Sequence, residues 1–100
     1  MPIVLMTMKK KALSKEKPLQ TKIMKILESE GWLVYKMPPL VIGFPDVMAL
    51  RNGRAIFLEI KKEKGGQVGY FQAQMMKKLR GQGFTAEIIK TIDDFRELEL

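Results

Sequence analysis

Apolar residues recur every three to four positions in two stretches of the chain, a spacing that is typical of amphipathic helices. The first helix is expected to begin near Ser14, which can cap its N-terminus, and to end at Gly31. The second is expected at residues 70–80, and the spacing of Thr91 and Asp94 resembles a capping box for a short C-terminal helix. The apolar positions that define the two longer helices are Leu19, Ile23, Met24, Ile26 and Leu27 in the first and Phe71, Met75 and Leu79 in the second.

Shorter runs rich in β-branched and aromatic residues predict strands between these helices. Asn52 and Gly53 separate two of the runs, and this dipeptide is the strongest short signal for a hairpin. The order α-β-β-β-α-β, followed by a last helical turn, predicts an α/β fold. Residues 14–100 would form this one domain, and residues 1–13 would form a basic, flexible N-terminal arm. The predicted strands are 32–37, 46–51, 54–61 and 84–89.

The hairpin turn determines which residues of its two strands face each other. A two-residue loop pairs Arg51 with Arg54, and counting back along both strands then brings Asp46 opposite Glu59. This pair falls at a non-hydrogen-bonded position, where Cα atoms lie about 4.5 Å apart and both side chains project from one face. Lys61 lies two residues beyond Glu59 and therefore shares that face.

Two opposed carboxylates repel each other, so this pair needs a compensating positive charge. A divalent cation bound by both Asp46 and Glu59 would supply it, and oxygen ligands favour Mg²⁺ or Mn²⁺. Lys61 could then orient or deprotonate a water molecule, or stabilise charge on a phosphate. The simpler alternative is a surface salt bridge between Lys61 and the two acids.

The composition narrows the chemistry that the chain can perform. The 18 Lys and Arg residues against 11 Asp and Glu give a net charge of +7, which favours a polyanionic partner, nucleic acid before an anionic membrane. A basic protein without such a partner remains an alternative. Because the chain has no Cys and no His, it can form no disulfide framework, zinc site of the His or Cys type, Cys nucleophile or His-based triad.

The N-terminal sequence and the length give two weaker expectations. A short apolar run precedes the lysines, the reverse of the order in a signal peptide, and no stretch approaches the roughly 20 apolar residues of a membrane span. A cytoplasmic protein of bacterial or phage origin, with no membrane partner, is therefore expected. A 100-residue domain buries a small core, so a homodimer would add buried area.

Four runs of the sequence form an ordered set: E-K-P-L-Q at 16–20, G-F-P-D at 43–46, R-N-G-R-A-I-F-L-E-I-K-K at 51–62 and F-Q at 71–72. Together they resemble the virus-type replication-repair nuclease (VRR-NUC) family of the PD-(D/E)xK superfamily, over residues 14–98. The resemblance implies a restriction-endonuclease-like core, with a central mixed sheet flanked by helices, and Mg²⁺- or Mn²⁺-dependent cleavage of DNA. The sequence departs from the family pattern at Gly69, more often Ser or Thr, and at Tyr70, often Pro, which weakens the helix cap but changes no ligand.

The resemblance also implies roles for individual residues. Asp46, Glu59 and the backbone carbonyl of Ile60 would be metal ligands, with Glu16 as a further acid, directly or through water. Lys61 would be the catalytic lysine, and Gln72 a polar catalytic residue on the second helix. Glu16 could instead complement a helix N-terminus, and Gln72 could serve as a capping residue. Contacts to nucleic acid are expected from Lys17, Gln20, Arg51, Lys62, Lys64 and Gln67, although the lysine loop could also be only a solvated surface.

These inferences favour an endonuclease that cuts branched DNA, such as four-way junctions, in replication, recombination or repair, with no small-molecule substrate. Two alternatives stay open: a catalytically silent nucleic-acid-binding module on the same fold, and a nuclease that acts on RNA. Tyr70 and Phe71 are expected in the core or in a dimer interface rather than as stacking platforms for bases. Trp32 is expected in the core, and the candidates for the dimer interface are Met75, Met76, Tyr70 and Trp32.

Overall fold

The computed structural model describes residues 18–100, so the expected arm at residues 1–13 and the cap at Ser14 lie outside the described residues. Every helix and strand predicted within this range is present, and the strand ends differ by one residue. Asp46 precedes its strand and Lys61 follows its strand. The elements are α1 (Pro18–Ser29), β1 (Leu33–Lys36), β2 (Val47–Arg51), β3 (Arg54–Ile60), α2 (Tyr70–Gly81), β4 (Thr85–Ile89) and α3 (Ile92–Arg96).

The strands form one mixed sheet in the order β1-β2-β3-β4, which confirms the expected α/β architecture. The first three strands are antiparallel, and β4 lies parallel to β3 because α2 crosses over between them. The register of the β2–β3 hairpin is the predicted one, from Arg51 opposite Arg54 to Val47 opposite Leu58. Asn52 and Gly53 have φ angles of 50° and 76°, the left-handed conformation that a two-residue type I′ turn requires.

Helices cover both faces of the sheet, and successive residues of β3 alternate between them. Ile56 and Leu58 lie in the larger core cluster, together with residues of α1 and α3. Phe57 lies on the opposite face, in a smaller cluster with Met76 of α2. Glu59 shares its face with Phe57, since side chains alternate along a strand, and so it projects towards the side that α2 covers. None of the described helices is long and apolar enough to cross a membrane.

The structure corrects the prediction of which α2 residues pack inwards. Phe71 is 60% exposed and Tyr70 71% exposed, so neither is a core residue, whereas Met76 is buried. The apolar pattern at 71, 75 and 79 is wrong at Phe71, because Met75 and Met76 fit either face equally well, whereas Leu79 packs against the core cluster around Met76. Trp32 is buried as expected. Met76 and Trp32 are therefore wrong as candidates for an exposed dimer interface.

Candidate functional site

Asp46 and Glu59 lie at the open end of the β2–β3 hairpin. The regular ladder stops one pair short of them, at Val47 and Leu58. The Asp46 carboxylate continues the pairing, because its Oδ2 accepts a hydrogen bond of 3.2 Å from the backbone N–H of Ile60. The backbone carbonyl of Asp46 accepts a bond of 2.7 Å from the N–H of Met37. These two bonds hold Asp46 beside Glu59, as the register predicted.

The Glu59 carboxyl group is only 3% exposed, and its two oxygen atoms have different surroundings. Oε2 accepts a hydrogen bond of 2.9 Å from Nε2 of Gln72 and lies 3.3 Å from Nζ of Lys61. Oε1 is buried and has no hydrogen-bond partner among the described residues. A buried carboxylate oxygen without a donor is costly, which leaves Oε1 available to a bound cation.

Burial raises the pKa of the Glu59 carboxyl group above its usual range, and the negative charge of Asp46 raises that pKa further. The Lys61 ammonium group and hydrogen bonds to the carboxylate act in the opposite direction without cancelling the rise. The charged form of Glu59 is therefore destabilised in the metal-free protein. A cation next to both carboxylates would relieve this destabilisation.

Gln72 is oriented by a second hydrogen bond at the start of α2. Its Oε1 accepts a bond of 3.0 Å from the backbone N–H of Gly69, which leaves its amide NH₂ group to face Glu59. Gln72 thus caps the start of α2 and also contacts Glu59, so the two interpretations of this residue do not exclude each other. Because Gly69 has no side chain, only this half of a reciprocal cap can form. Gln72 therefore holds Oε2 of Glu59, while Oε1 keeps no hydrogen-bond partner among the described residues.

The donor set suits a divalent cation of the hard, oxygen-seeking type. Within residues 18–100, no group of three or more Asp, Glu, His or Cys side chains is placed to hold a metal ion. Asp46 and Glu59 would therefore need further oxygen ligands, and the Ile60 carbonyl and Glu16 are those that the family resemblance implies. Glu16 and Lys17 lie outside the described residues. The unpartnered Oε1 of Glu59 is the observation that shows the fit.

A cleft of about 740 Å³ adjoins the site and is rich in lysine. Lys62 and Gln67, two of the residues predicted to contact nucleic acid, line it, whereas Lys64 is exposed on the same loop without lining the cleft. Lys90 also lines the cleft and was not predicted. Its position follows from the parallel pairing of β3 with β4, which brings the residues after Ile60 and Ile89 to one edge. The lining residues are Pro18, Leu19, Ile60, Lys61, Lys62, Glu63, Gly65, Gly66, Gln67 and Lys90.

The structure does not bring Gln20 and Arg51 to the carboxylates. Gln20 is buried in α1, and its Nε2 lies 4.0 Å from Sδ of Met24. Arg51 lies at the turn end of β2, about 17 Å along the strand from Asp46. Its guanidinium group donates hydrogen bonds to the carbonyl oxygens of Glu30 and Leu100, and it stacks on the Trp32 ring. These contacts give Arg51 a structural role.

Comparisons with known proteins bear on the fold. No model of a protein family and no curated protein matches the sequence. A solved structure described as a VRR_NUC domain superposes with a TM-score of 0.74 and 24% identity, covering 84% of this chain and 92% of that chain. This chain has a VRR-NUC-like fold. A second structure, described as a VRR_NUC domain protein, gives a TM-score of 0.64 and 21% identity, with 80% of each chain covered. The restriction-endonuclease-like core expected of this VRR-NUC-like domain is thereby confirmed.

Substitution of Gln72 by Leu tests its hydrogen bond to Glu59. We expect metal-dependent cleavage to fall about 10- to 100-fold, as when an outer partner of a metal ligand is lost. The pKa of Glu59 should rise, because a donor to its charged form disappears, so the acid limb of the pH–rate profile should move to higher pH. Steady-state rates between pH 5 and 9 check this expectation.

The variant Gln72→Glu retains an acceptor for the Gly69 N–H, but it loses the donor to Glu59 and adds a negative charge beside that carboxylate. It should keep the helix cap and raise the pKa of Glu59 further than Gln72→Leu does, so the acid limbs of the two variants, read with their melting temperatures, separate the loss of the cap from the effect on the site. If Gln72→Leu lowers the melting temperature while its acid limb stays in place, Gln72 is a capping residue alone.

Proposed function

We propose that this VRR-NUC-like domain is a metal-dependent nuclease that hydrolyses phosphodiester bonds in DNA. The single observation that carries the proposal is the buried carboxylate of Glu59, with one oxygen fixed by Gln72 and Lys61 and the other free beside Asp46. The fold shared with VRR_NUC domains supports the same class of activity.

In this proposal Asp46 and Glu59 hold a Mg²⁺ or Mn²⁺ ion, with the Ile60 carbonyl and Glu16 as the further ligands that the resemblance implies. When bound, such an ion polarises a phosphoryl group and lowers the pKa of a coordinated water. Lys61 lies at the mouth of the cleft, where its ammonium group can orient the attacking water or stabilise negative charge on the phosphate. Lys62, Lys64, Gln67 and Lys90 would hold neighbouring phosphates.

A nucleic-acid-binding module without catalysis would need the lysines but not the acids. Such a module would bury Glu59 next to Asp46 at a cost in stability, with nothing gained in affinity for a polyanion. The carboxylate pair therefore favours a nuclease over a silent binding module. The same chemistry would serve an RNA substrate, and only the substrate panel below separates the two.

For the substrate we propose branched DNA, with four-way junctions first, cut by a homodimer. A domain of 100 residues has a small core, so a symmetric interface would add buried area. Two sites related by a two-fold axis could cut two strands symmetrically, which a single site cannot do. Of the interface residues considered, Tyr70 is exposed and Met75 is half-buried, so both remain accessible.

The deciding experiment is a panel of end-labelled linear, flapped and four-way DNAs, with a matched RNA duplex, incubated with Mg²⁺, Mn²⁺ or Ca²⁺. We expect cleavage with Mg²⁺ and Mn²⁺, paired nicks on the junction and a dimeric mass by light scattering. Ca²⁺ should bind without supporting turnover, because its looser geometry positions water poorly. Mg²⁺ or Mn²⁺ should raise the melting temperature, as a native-state ligand does.

Each outcome of the panel bears on a different part of the proposal. Calorimetry that finds no divalent cation bound to either the free protein or its DNA complex would contradict the nuclease. A monomer that cuts only flap ends would overturn the junction and the dimer while leaving the nuclease in place. Cleavage confined to RNA would change the substrate class.

A further inference from the structure

Five large apolar side chains are exposed on two segments that lead into the site, and we call them the apolar lip. They belong to the loop before Asp46 and to the first turn of α2. The most exposed is Leu40, at 84%, and Ile42 is 74% exposed. Large apolar side chains exposed on neighbouring segments are typical of a binding surface. The residues of the lip are Leu40, Val41, Ile42, Tyr70 and Phe71.

The two segments of the lip meet at Gly43, in the G-F-P-D run. Gly43 has a φ of +82°, and a Cβ atom built there would lie 2.4 Å from the carbonyl oxygen of Phe71. Only glycine therefore allows the loop to lie directly against the start of α2. Phe71 is followed immediately by Gln72, whose amide contacts Glu59. The lip thus borders the carboxylate that we assign to the metal.

The aromatic pair of the lip presents flat surfaces to solvent. The rings of Tyr70 and Phe71 lie edge to face, with centroids 5.4 Å apart and planes 82° apart. Neither ring is needed for either apolar core, since the core cluster on this side of the sheet is formed around Phe57 and Met76. Exposed rings of this kind offer stacking surfaces to planar ligands.

We propose that the apolar lip binds an unpaired nucleobase next to the phosphodiester that is cut, an inference that rests on the proposed nuclease function. Every phosphate bound at the proposed site belongs to a nucleotide that carries a base, and the base is the planar, apolar part of the substrate. The net charge of +7 attracts the phosphates, while the lip offers the complementary apolar surface. A base inside an intact duplex is already stacked on both sides, so the lip would favour substrates that are open at the cut.

The first test compares cleavage of open and closed substrates by the double variant Tyr70→Leu with Phe71→Leu. Leucine keeps an apolar side chain but lacks a π face. We expect cleavage of a flap or an open junction to fall about fivefold or more, the lower end of what a lost base stack causes. Nicking of linear duplex should change less than twofold. Tyr70→Phe and Phe71→Tyr keep a ring and should retain the preference for open substrates.

The second test reads base binding without cleavage, in the Asp46→Asn background. 2-Aminopurine is placed in turn at each position around the branch point of a flap, and its fluorescence is measured on titration with protein. We expect quenching at a position next to the cut, lost in the double leucine variant. The control Leu33→Ala removes an exposed apolar side chain from β1 and should leave the quenching unchanged.

The outcomes separate this inference from the nuclease proposal. If the parent cleaves no substrate but the quenching still depends on the lip, the nuclease proposal is contradicted and base binding by the lip stands. If the parent cleaves DNA and the double leucine variant keeps both the preference for open substrates and the quenching, the proposal of base binding by the lip is contradicted. Two further results would also overturn it, because each assigns the lip another occupant. If the double leucine variant has a lower oligomeric mass than the parent, the lip binds a second copy of the chain. If residues 1–17 take up deuterium faster in that variant, the lip binds the chain's own N-terminal segment.

Discussion

Substitution of Glu59 by Gln is expected to abolish metal-dependent cleavage while leaving the fold intact. The amide has almost the same shape, so packing is retained, but the negative charge that we propose as a ligand of the cation is lost. Loss of a residue that hydrogen-bonds to a metal ligand lowers metal affinity or activity about 10- to 100-fold. Loss of a ligand itself should lower activity more than about a hundredfold. Asp46→Asn should act in the same direction, because it removes the other charge of the pair.

Metal-free Glu59→Gln should also be more stable than the parent at neutral pH. Because the pKa of Glu59 is raised in the folded protein, the contribution of Glu59 to stability is fully present below the unfolded value of 4.5 and is lost as pH rises through the folded pKa. Glu59→Gln cannot lose stability in this way, because its side chain does not ionise. In the presence of a chelator, the two proteins should have equal melting temperatures near pH 4, and Glu59→Gln should have the higher melting temperature near pH 8.

The matched control is Glu87→Gln on the neighbouring strand β4. Glu87 is half-exposed and pairs with Arg80 at 3.4 Å, away from the carboxylate pair. This variant loses one negative charge and should keep its activity. Full cleavage activity in Glu59→Gln or Asp46→Asn would contradict the assignment of the site. If Glu87→Gln loses as much cleavage activity as Glu59→Gln, the effect comes from net charge instead.

Substitution of Lys61 by Met should lower the rate of the chemical step about 10²- to 10⁴-fold, the range for a positioned proton-transfer group. The Lys61 side chain is 20% exposed and lies 3.3 Å from Oε2 of Glu59, so methionine can replace its stem without opening the core. The pKa of Glu59 should rise, because the Lys61 charge lowers it in the parent. Single-turnover cleavage with saturating Mg²⁺ between pH 6 and 9 measures both effects.

Lys64→Met is the matched control for loss of one positive charge. Lys64 is exposed on the loop after β3, where a phosphate contact would be independent of sequence. Lys64→Met should bind DNA more weakly than the parent, and its rate of the chemical step should be unchanged. In a plot of log affinity against log salt concentration, the magnitude of its slope should be smaller by about one. A chemical step in Lys61→Met within threefold of the parent would leave Lys61 as an ion-pair partner only.

The carboxylate pair could be predicted from the sequence because it depends on local structure. The Asn-Gly dipeptide allows one tight turn, and the alternation of side chains along β2 and β3 then brings Asp46 and Glu59 together. The assignment of Lys61 to the same face follows from the same alternation. No knowledge of the remaining fold was required for these three residues.

Features that depend on distant packing could not be predicted in this way. The prediction for α2 was wrong at Phe71, because Met75 and Met76 gave no preference for either face. The two hydrogen bonds of Gln72 depend on how α2 approaches β3, and the place of Lys90 depends on the parallel pairing of β3 with β4. Arg51 was assigned to nucleic acid because of its charge, whereas contacts to two carbonyl oxygens and a buried ring hold it in place.

The Asn-Gly turn also has a consequence for how such domains can diverge. Side chains alternate with a period of two, so a one-residue insertion that shifted the pairing of β2 with β3 would move Glu59 into the apolar layer of Ile56 and Leu58. The segment 38–42 joins β1 to β2 outside this pairing and can change in length without moving the carboxylates. Length variation among homologues should therefore spare the turn, whereas a change of length in that segment would alter the apolar lip and leave the carboxylates in place. In sequences too divergent to align, an acidic residue six positions after the end of a two-residue turn would then indicate that the carboxylate pair is retained.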